Sequence, residues 1–312
     1  MKPQGSKDTA HSSSQTPEGA CAKESLENLS ANLEKFSLEK EKNIPFSHEE
    51  LENIIADLER DLADGSWVRD NPHYVKSDLK MMPALVNKAN HKHPGMNLKL
   101  AMTPEELSLS IKEAIDAGIQ SSRYIVGIKD GGLHFAVLDH RTIGNQTSLI
   151  LFEPANIDAV MSSLLAIRTQ IAIQKQQLPH CHSSTVEMNI QESHTECGIF
   201  SLALAKKLHT ESDKLTRMHQ DNISGVLCTP DTPLPSDKVD PYLPPKFYKH
   251  TQGTRRLREY VRSNPEAEHK KVNKKDETLL ERFERNLVET EGKAVSVSLH
   301  RKRVSEYKSL TM

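Results

Sequence analysis

The sequence predicts an α+β fold in which helices pack against a single sheet. Helical patterns of apolar residues occur on both sides of residues 123–152, where three short runs are rich in β-branched and apolar side chains. The resulting order of two helices, three strands, a helix, a strand and a helix is typical of an α+β domain. With 312 residues, 36% of them hydrophobic, the chain is long enough for one large domain or two small ones.

Residues 1–45 are predicted to be a flexible leader. They are rich in Ser, Gln, Glu and Lys, and large apolar side chains are scarce before Leu26. A segment of this composition buries too little apolar surface to fold alone. We expect at most a nascent helix at residues 26–36.

Residues 46–118 are predicted to form a helical section. Ser47 and Glu50 have the spacing of a capping box, an apolar stripe follows from residue 51 to residue 62, and Gly65 ends the helix. A second helix begins at Thr103, with Pro at its first position, and stops at Gly118.

Residues 119–228 are predicted to form the core that carries the chemistry. Three runs separated by Gly-containing turns predict an antiparallel meander. A long helix, a fourth strand, a helix beginning at Cys197 and one more helix should follow. The predicted strands are 123–128, 133–139, 147–152 and 184–190, and the predicted helices are 158–177 and 212–226 besides the one at Cys197.

Residues 229–246 are predicted to be an extended connector, because residues 230–245 hold six of the sixteen prolines. The last section, 247–312, should contain two helices, a strand and a final helix from Arg301. The predicted bounds of the first three are 254–262, 277–286 and 294–299. This section is basic: from Lys246 onward there are 17 Lys and Arg against 10 Asp and Glu, whereas the whole chain has 41 against 43. That asymmetry suggests a polyanionic ligand or an intramolecular contact, with solvated helix faces as the alternative.

The four cysteines, at positions 21, 181, 197 and 228, are scattered and form no C-x-x-C pair. This usage suits a reducing compartment better than a disulfide framework. The apolar runs are far shorter than the ~18 residues of a membrane span, and residues 1–20 lack the apolar segment of a secretory signal. We therefore expect no transmembrane segment, and we expect neither a metal nor a nucleic-acid partner.

Cys197 is the candidate nucleophile. It stands with Gly198 where a helix is predicted to begin, and the positive end of the helix dipole favours the reactive thiolate. The alternative is a small buried cysteine that packs in a core helix, since free cysteine is among the most buried residue types.

His134 and Glu153 are the candidate general base and the group that orients it. They lie on neighbouring strands of the predicted meander, so their side chains can meet across the hairpin. A thiol nucleophile needs a base, and the base needs a third group that fixes its tautomer. Gln191 and the backbone N–H of Cys197 are candidate donors to an oxyanion. Taken singly, each residue also has a structural interpretation: a core histidine, a solvated glutamate or a turn glutamine.

Seven stretches of the chain resemble the YopJ/AvrRxv family of type III secreted effectors. The longest is Glu-Cys-Gly-Ile-Phe-Ser-Leu-Ala-Leu-Ala-Lys-Lys-Leu at residues 196–208. The other matching stretches are 132–135, 147–155, 165–169, 247–253, 272–275 and 301–303. The resemblance covers roughly residues 45–312 and leaves only the leader unmatched. The chain departs from close relatives at residues 192–195, which are Glu-Ser-His-Thr. In those relatives this run is more basic, and Ser is its only hydroxyl residue.

The resemblance implies a cysteine-protease-like catalytic core of the ubiquitin-like-protein protease type. Its central mixed or antiparallel sheet would be flanked by helices, and segments from both ends of the chain would form a helical regulatory section. The resemblance also implies a His–Glu–Cys triad that works as an acetyltransferase. Cys197 would take the acetyl group from acetyl-CoA and pass it to a Ser or Thr hydroxyl, or to a Lys amine, of a target protein. Gln191 carries over as an oxyanion donor.

The resemblance further implies activation by inositol hexakisphosphate, a polyanion that several converging Lys and Arg side chains would bind. Lys206 and Lys207 could contact either the coenzyme or the inositol phosphate. The candidate contacts to these two ligands are Phe135, Glu192, Ser193, Lys206, Lys207, Lys92, Lys249, His250, Arg255, Lys274, Lys275 and Arg301.

By family analogy, the targets are host protein kinases, namely MAP kinase kinases and the IκB kinase. The leader would direct type III secretion into the host cell cytoplasm. Two alternatives stay open: a cysteine protease that cleaves ubiquitin-like conjugates with the same triad, and a non-enzymatic adaptor that binds polyanions through the basic C-terminal section.

Overall fold

The structure, a computed structural model, describes residues 46–69, 71–129, 134–229, 231–290 and 293–311. The predictions for the leader and for the turn at residues 130–132 lie outside the described residues. Within the described part of the chain, no helix is both long enough and apolar enough to cross a membrane.

A five-stranded mixed sheet forms the centre of the fold. The three middle strands make the predicted antiparallel meander, and the two outer strands are parallel to their neighbours. The sheet order follows the chain: β1 Leu98–Ala101, β2 Ser121–Gly127, β3 Phe135–Ile143, β4 Gln146–Glu153 and β5 Cys181–Glu187. The predicted α+β class, with helices flanking a mixed central sheet, is confirmed.

Helices cover both faces of this sheet, because alternate residues of each strand point to opposite sides. On one face, Ile125, Val137 and Ile150 join a core that includes residues of the helices α2, Pro72–Lys92, and α5, Cys197–Thr210. On the other face, strand residues join a second core with the helices α3, Pro104–Asp116, and α4, Val160–Lys175. The apolar runs of β2, β3 and β4 reflect this burial on both sides.

Two predicted N-terminal helices form where their caps indicate. Helix α1, His48–Asp64, starts after Ser47, whose Oγ accepts a hydrogen bond from the backbone N–H of Glu50 at 3.1 Å. Thr103 caps α3 in the same way through the N–H of Glu106 at 3.1 Å. The sequence analysis missed α2 and β1. Helix α2 contains an interior Pro83, and β1 has only four residues.

The prediction of an extended connector without regular structure at residues 230–245 is wrong. A short helix and two 3-10 turns lie there, and proline stands at the start of both turns, where a fixed φ and a missing N–H cost nothing. These elements are α7 Ser236–Val239 and the turns Asp240–Tyr242 and Pro245–Tyr248.

Several other boundaries differ from the prediction by a few residues. Strand β5 begins three residues earlier than predicted, and the predicted helix at 212–226 opens as a 3-10 turn, Ser212–Leu215, before α6, Thr216–Ile223. The basic section contains helices α8 and α9, a two-stranded hairpin and the last helix, α10, which starts at Ser298 instead of Arg301. These elements are α8 Thr254–Ser263, α9 Leu279–Asn286, β6 Leu287–Thr290, β7 Lys293–Ser296 and α10 Ser298–Lys308.

Candidate active site

His134 and Glu153 meet at one end of the β3–β4 hairpin. Glu153 is the last residue of β4 and His134 directly precedes β3, so the hairpin register brings them together. The Nε2 atom of His134 lies 2.8 Å from Oε2 of Glu153, and the other carboxylate oxygen accepts a hydrogen bond from the N–H of Ala155 at 2.9 Å. Both carboxylate oxygens are therefore held, and the carboxylate fixes the orientation of the ring.

Cys197 is the first residue of α5, and its side chain lies close enough to His134 to contribute, with Glu153, to the raised pKa of that ring. The residue is only 2% exposed. Because Nε2 faces Glu153, Nδ1 is the ring nitrogen left for the thiol. The structure thus brings together the three side chains that the sequence analysis selected as base, orienting group and nucleophile.

The electrostatic environment of His134 favours its protonated form. Burial alone would lower the pKa of His134, but the nearby Cys197 side chain and the hydrogen bond and charge of Glu153 outweigh it and raise the pKa. A ring whose pKa is raised in this way is a strong base for a proton taken from a neighbouring thiol. The positive end of the α5 dipole lies at the same place, and the Glu196 side chain does not cap the first turn, which leaves its N–H groups available.

Gln191 lies beside the same hairpin end, since its backbone N–H donates to the Pro154 carbonyl at 3.0 Å. Its side-chain nitrogen donates to the Ser193 carbonyl at 2.6 Å, which uses one of its two N–H bonds. Its buried Oε1 has no hydrogen-bond partner among the described residues. A second N–H is therefore left that can serve an oxyanion.

Gln252 holds the segment between Gln191 and Cys197, and the sequence analysis did not single it out. Its Oε1 accepts hydrogen bonds from the backbone N–H groups of Glu192 at 2.6 Å and Ser193 at 2.9 Å. Its Nε2 donates to the Glu196 carboxylate. Gln252 lies within residues 247–253, one of the stretches that resemble the family. That membership was the signal in the sequence that could have identified it. Glu192 and Ser193, predicted ligand contacts, thus lie in a loop held by this amide.

Phe135, another predicted ligand contact, is buried in the core at the start of β3. Its ring lies against Gly127 of β2, where an added Cβ would come within 3.1 Å of Cε1. The structure therefore places the Phe135 ring in the core, where it packs against the backbone of β2.

Basic side chains from four parts of the chain converge on the side of α5 that faces the C-terminal section. We call this group the cationic cluster: Lys206, Lys207, Lys246, Lys249, Arg282 and Lys302. Burial, followed by the charges of Lys207, Arg282, Lys302 and Lys246, lowers the pKa of Lys249 to about 8. Burial and the neighbouring lysines also lower the pKa of Lys207. Positive charges grouped in this way create a positive potential, which attracts anions.

The cationic cluster contains some predicted ligand contacts and three residues that the sequence analysis missed, Lys246, Arg282 and Lys302. Carboxylates partly balance it: Glu306 accepts from Lys206 at 2.7 Å, and Glu211 accepts from Lys246 at 2.7 Å. His250, a further predicted contact, is buried beside the cluster, and its Nδ1 lies 2.8 Å from Ser298 Oγ. Burial and the surrounding cations lower the pKa of His250, so this ring is neutral.

Five other predicted ligand contacts lie on the exposed surface. Arg255 pairs with Glu259 at 2.9 Å, and its side chain is 91% exposed. Arg301 donates to Asn286 Oδ1 at 3.0 Å, and its charge lies near Arg282. The charge of Lys92, at the end of α2, acts on Lys206. Lys274 and Lys275 are exposed.

Comparisons with known proteins identify the family. The family model described as YopJ Serine/Threonine acetyltransferase matches residues 51–309. The chain is 54% identical over 272 residues to Serine/threonine-protein acetyltransferase YopJ of Yersinia pestis. The match covers 87% of this chain and 94% of the relative. It is 53% identical to the protein of the same name from Yersinia pseudotuberculosis, with the same coverage.

Two solved structures are similar over most of the chain. AvrA delL154 with IP6 and CoA has a TM-score of 0.82 and 49% identity, and the match covers 86% of this chain and 99% of that one. HopZ1a in complex with IP6 has a TM-score of 0.65 and 19% identity, and the match covers 76% of this chain and 86% of that one. This likeness shows the fold alone. The extent of the family match and the identity to YopJ show that this chain belongs to the YopJ serine/threonine acetyltransferase family.

Proposed function

We propose that this protein transfers an acetyl group from acetyl-CoA to Ser and Thr hydroxyls, and to Lys amines, of host proteins through an acetyl-thioester on Cys197. One observation carries this proposal: the Glu153 carboxylate holds the His134 ring, and Cys197, at the start of α5, lies close enough to that ring to raise its pKa. Family membership supports acetyl transfer over proteolysis, since the same three groups serve both reactions.

The first half of the proposed reaction loads the enzyme. His134 takes the proton of the Cys197 thiol, and the sulfur attacks the acetyl carbonyl carbon of acetyl-CoA. The bond between that carbon and the coenzyme sulfur breaks, and the leaving thiolate takes the proton from His134. The backbone N–H of Cys197 and the second amide N–H of Gln191 would stabilise the carbonyl oxygen while it carries negative charge.

The second half transfers the acetyl group to the acceptor. His134 takes the proton of a Ser or Thr hydroxyl, and the oxygen attacks the thioester carbonyl. The carbon–sulfur bond to Cys197 breaks, and the sulfur recovers a proton from His134. Glu153 holds the same ring orientation in both halves. This sequence predicts ping-pong kinetics.

The cationic cluster is the proposed site for inositol hexakisphosphate, which would act as an activator. Its residues fit such a ligand: Lys207, Lys249 and Arg282 converge, and the lowered pKa of Lys249 indicates a region that gains stability when an anion enters. The solved AvrA structure contains IP6, which supports the assignment by relationship. When bound, the ligand would supply negative charge that holds these side chains and the C-terminal helices together.

The proposed targets are host signalling kinases, namely MAP kinase kinases and the IκB kinase. An acetylated activation-loop hydroxyl can neither accept phosphate nor supply the charge that orders the loop. The proposed route is type III secretion, directed by the leader, into the host cell cytoplasm, where the protein acts in virulence by blocking immune signalling. These statements rest on family membership.

A transfer assay tests the proposal. The full chain is incubated with acetyl-CoA and an acceptor kinase, with and without inositol hexakisphosphate, and O-acetyl sites are mapped by mass spectrometry. We expect acetylation of the acceptor that depends on Cys197 and increases with the inositol phosphate, whereas Cys197→Ser should abolish it. Cleavage of a ubiquitin-like conjugate without the coenzyme would instead support the protease. Unchanged effects on host signalling by Cys197→Ala would support the adaptor.

A further inference from the structure

Arg303 of α10 is a fully buried guanidinium that lies next to the segment leading into the nucleophile. It is 0% exposed. Its Nε donates to Asp78 Oδ1 at 2.9 Å, and its Nη2 donates to Asp78 Oδ2 at 3.0 Å, so the pair is bidentate. The same guanidinium stacks over the Tyr74 ring at 4.9 Å. Its position is therefore fixed from several sides.

Two further contacts of Arg303 reach the two residues before Cys197. Its Nη2 also donates to the backbone carbonyl of Thr195 at 2.8 Å, and its Nη1 lies 3.8 Å from Oε1 of Glu196. Glu196 is the N-cap position of α5, and its carbonyl accepts the first helical hydrogen bond, from Phe200, at 2.9 Å. Arg303 thus holds the peptide from which the first turn of α5 begins.

Asp78, the partner of Arg303, packs against that first turn. A Cβ added to Gly198 would lie 3.4 Å from Asp78 Cβ and 3.1 Å from Met82 Cε, so α2 and α5 approach closely here. The ion pair therefore contacts the nucleophile's helix on two sides: Arg303 at the residues before Cys197, and Asp78 at the residue after it.

We propose that Arg303 is a positioning residue for the reaction: by holding Thr195 and Glu196 it fixes the start of α5, so that the Cys197 sulfur faces the His134 ring. This inference rests on the proposed function. A buried ion pair is weak evidence for stability, since apolar residues of similar volume often stabilise as well or better. The hydrogen bond from Arg303 to the Thr195 carbonyl is not needed for an ion pair with Asp78. It therefore points to a role in positioning the residues before Cys197.

The test measures the reactivity of Cys197 itself. The rate of Cys197 alkylation by iodoacetamide is followed on the Cys197 peptide by mass spectrometry, in parallel with acetyl-thioester formation from acetyl-CoA. Arg303→Lys keeps a cation but loses the planar guanidinium that donates to both Asp78 carboxylate oxygens and to the Thr195 carbonyl. We expect both rates to fall about 10- to 100-fold, because displacing a reacting group by about 1 Å costs this much.

Two further variants separate positioning from folding. Asp78→Asn with Arg303→Met removes both charges, so that neither is left buried without its partner, and it should slow both reactions as Arg303→Lys does. Tyr307→Phe is the matched control: it deletes a 2.6 Å hydrogen bond to the same Asp78 from the same helix and touches neither Thr195 nor Glu196. It should lower Tm while both rates stay within twofold.

Rates within twofold of the natural protein in either folded Arg303 variant would overturn the proposal. So would a Tyr307→Phe variant that slows both reactions as much as Arg303→Lys, because the effect would then follow stability. Failure of the proposed function gives a different pattern: Cys197 of the natural protein would be alkylated rapidly but would not be acetylated by acetyl-CoA.

Discussion

The carboxylate of Glu153 is 0% exposed and lies 2.8 Å from Nε2 of His134. This contact determines which ring nitrogen faces the thiol, because a ring that donates Nε2–H to the carboxylate leaves Nδ1 to accept the thiol proton. The proposed chemistry depends on this orientation.

Glu153→Gln should lower kcat by about 10²- to 10⁴-fold, since an amide can hold the opposite tautomer and cannot stabilise the imidazolium. The measurement is single-turnover acetylation of Cys197. Glu187→Gln is the matched control, because Glu187 is the register partner of Glu153 on β5 and contacts the backbone N–H of Ile157 at 3.4 Å. Equal losses in both variants would contradict a specific role for Glu153.

Gln191→Ala should lower kcat by about 10- to 10³-fold and leave the KM for acetyl-CoA nearly unchanged, because an oxyanion donor acts mainly in the transition state. Steady-state kinetics under saturating inositol phosphate check this split. Gln170→Ala serves as the control, since the Gln170 amide pairs with Asp231. A rise in KM without a loss of kcat would assign Gln191 to ground-state binding instead.

Lys249→Met should stabilise the free protein at pH 7 and weaken its binding of inositol hexakisphosphate. The pKa of Lys249 is lowered to about 8 in the folded protein. A lysine whose pKa is lower in the folded state than in the unfolded chain destabilises the fold below the folded-state value, and the penalty fades as the pH rises toward the unfolded value. The gain in Tm should therefore be larger at pH 7 than at pH 10.

Calorimetric titration with the inositol phosphate and thermal unfolding at both pH values measure these effects. Lys112→Met is the control, because Lys112 is an exposed residue of α3 that pairs with Asp116 at 2.6 Å. Unchanged affinity in Lys249→Met would remove Lys249 from the proposed site. A gain in Tm that grows from pH 7 to pH 10 would contradict the direction of its pKa shift.

Arg255→Gln should leave the affinity for inositol hexakisphosphate within twofold of the natural protein, although the sequence analysis predicted a contact. The side chain is 91% exposed and pairs with Glu259 on the same helix, and such surface pairs contribute little. The same titration decides: a loss comparable to that of Lys249→Met would restore the sequence-based prediction.

Local signals explain which parts of the fold could be predicted. The caps at Ser47 and Thr103 act within one helical turn, so the sequence alone predicts α1 and α3. The β2–β4 meander follows from short turns between adjacent strands. Strand β1 has only four residues, and its pairing with β2 spans a helix in the sequence, which leaves no local signal.

The same distinction applies to the candidate site. Helix-start chemistry at Cys197 and hairpin geometry for His134 and Glu153 are local properties, and they led to the three side chains that the structure brings together. Gln252 and Arg303 act on the nucleophile's loop across 56 and 108 residues. Only the folded chain brings such contacts together, because neither side chain belongs to a motif whose spacing predicts its partner.

We propose that His134 activates the Cys197 sulfur for attack on an acetyl thioester. Rapid-quench mass spectrometry of the Cys197 peptide, after mixing with acetyl-CoA and inositol hexakisphosphate, tests it most directly in the natural protein and in His134→Asn. We expect a burst of acetylated Cys197 in the natural protein and a loss of about 10²-fold or more in the variant. Equal rates of Cys197 acetylation in the two proteins, or acetyl transfer to the acceptor with Cys197 never acetylated, would contradict it.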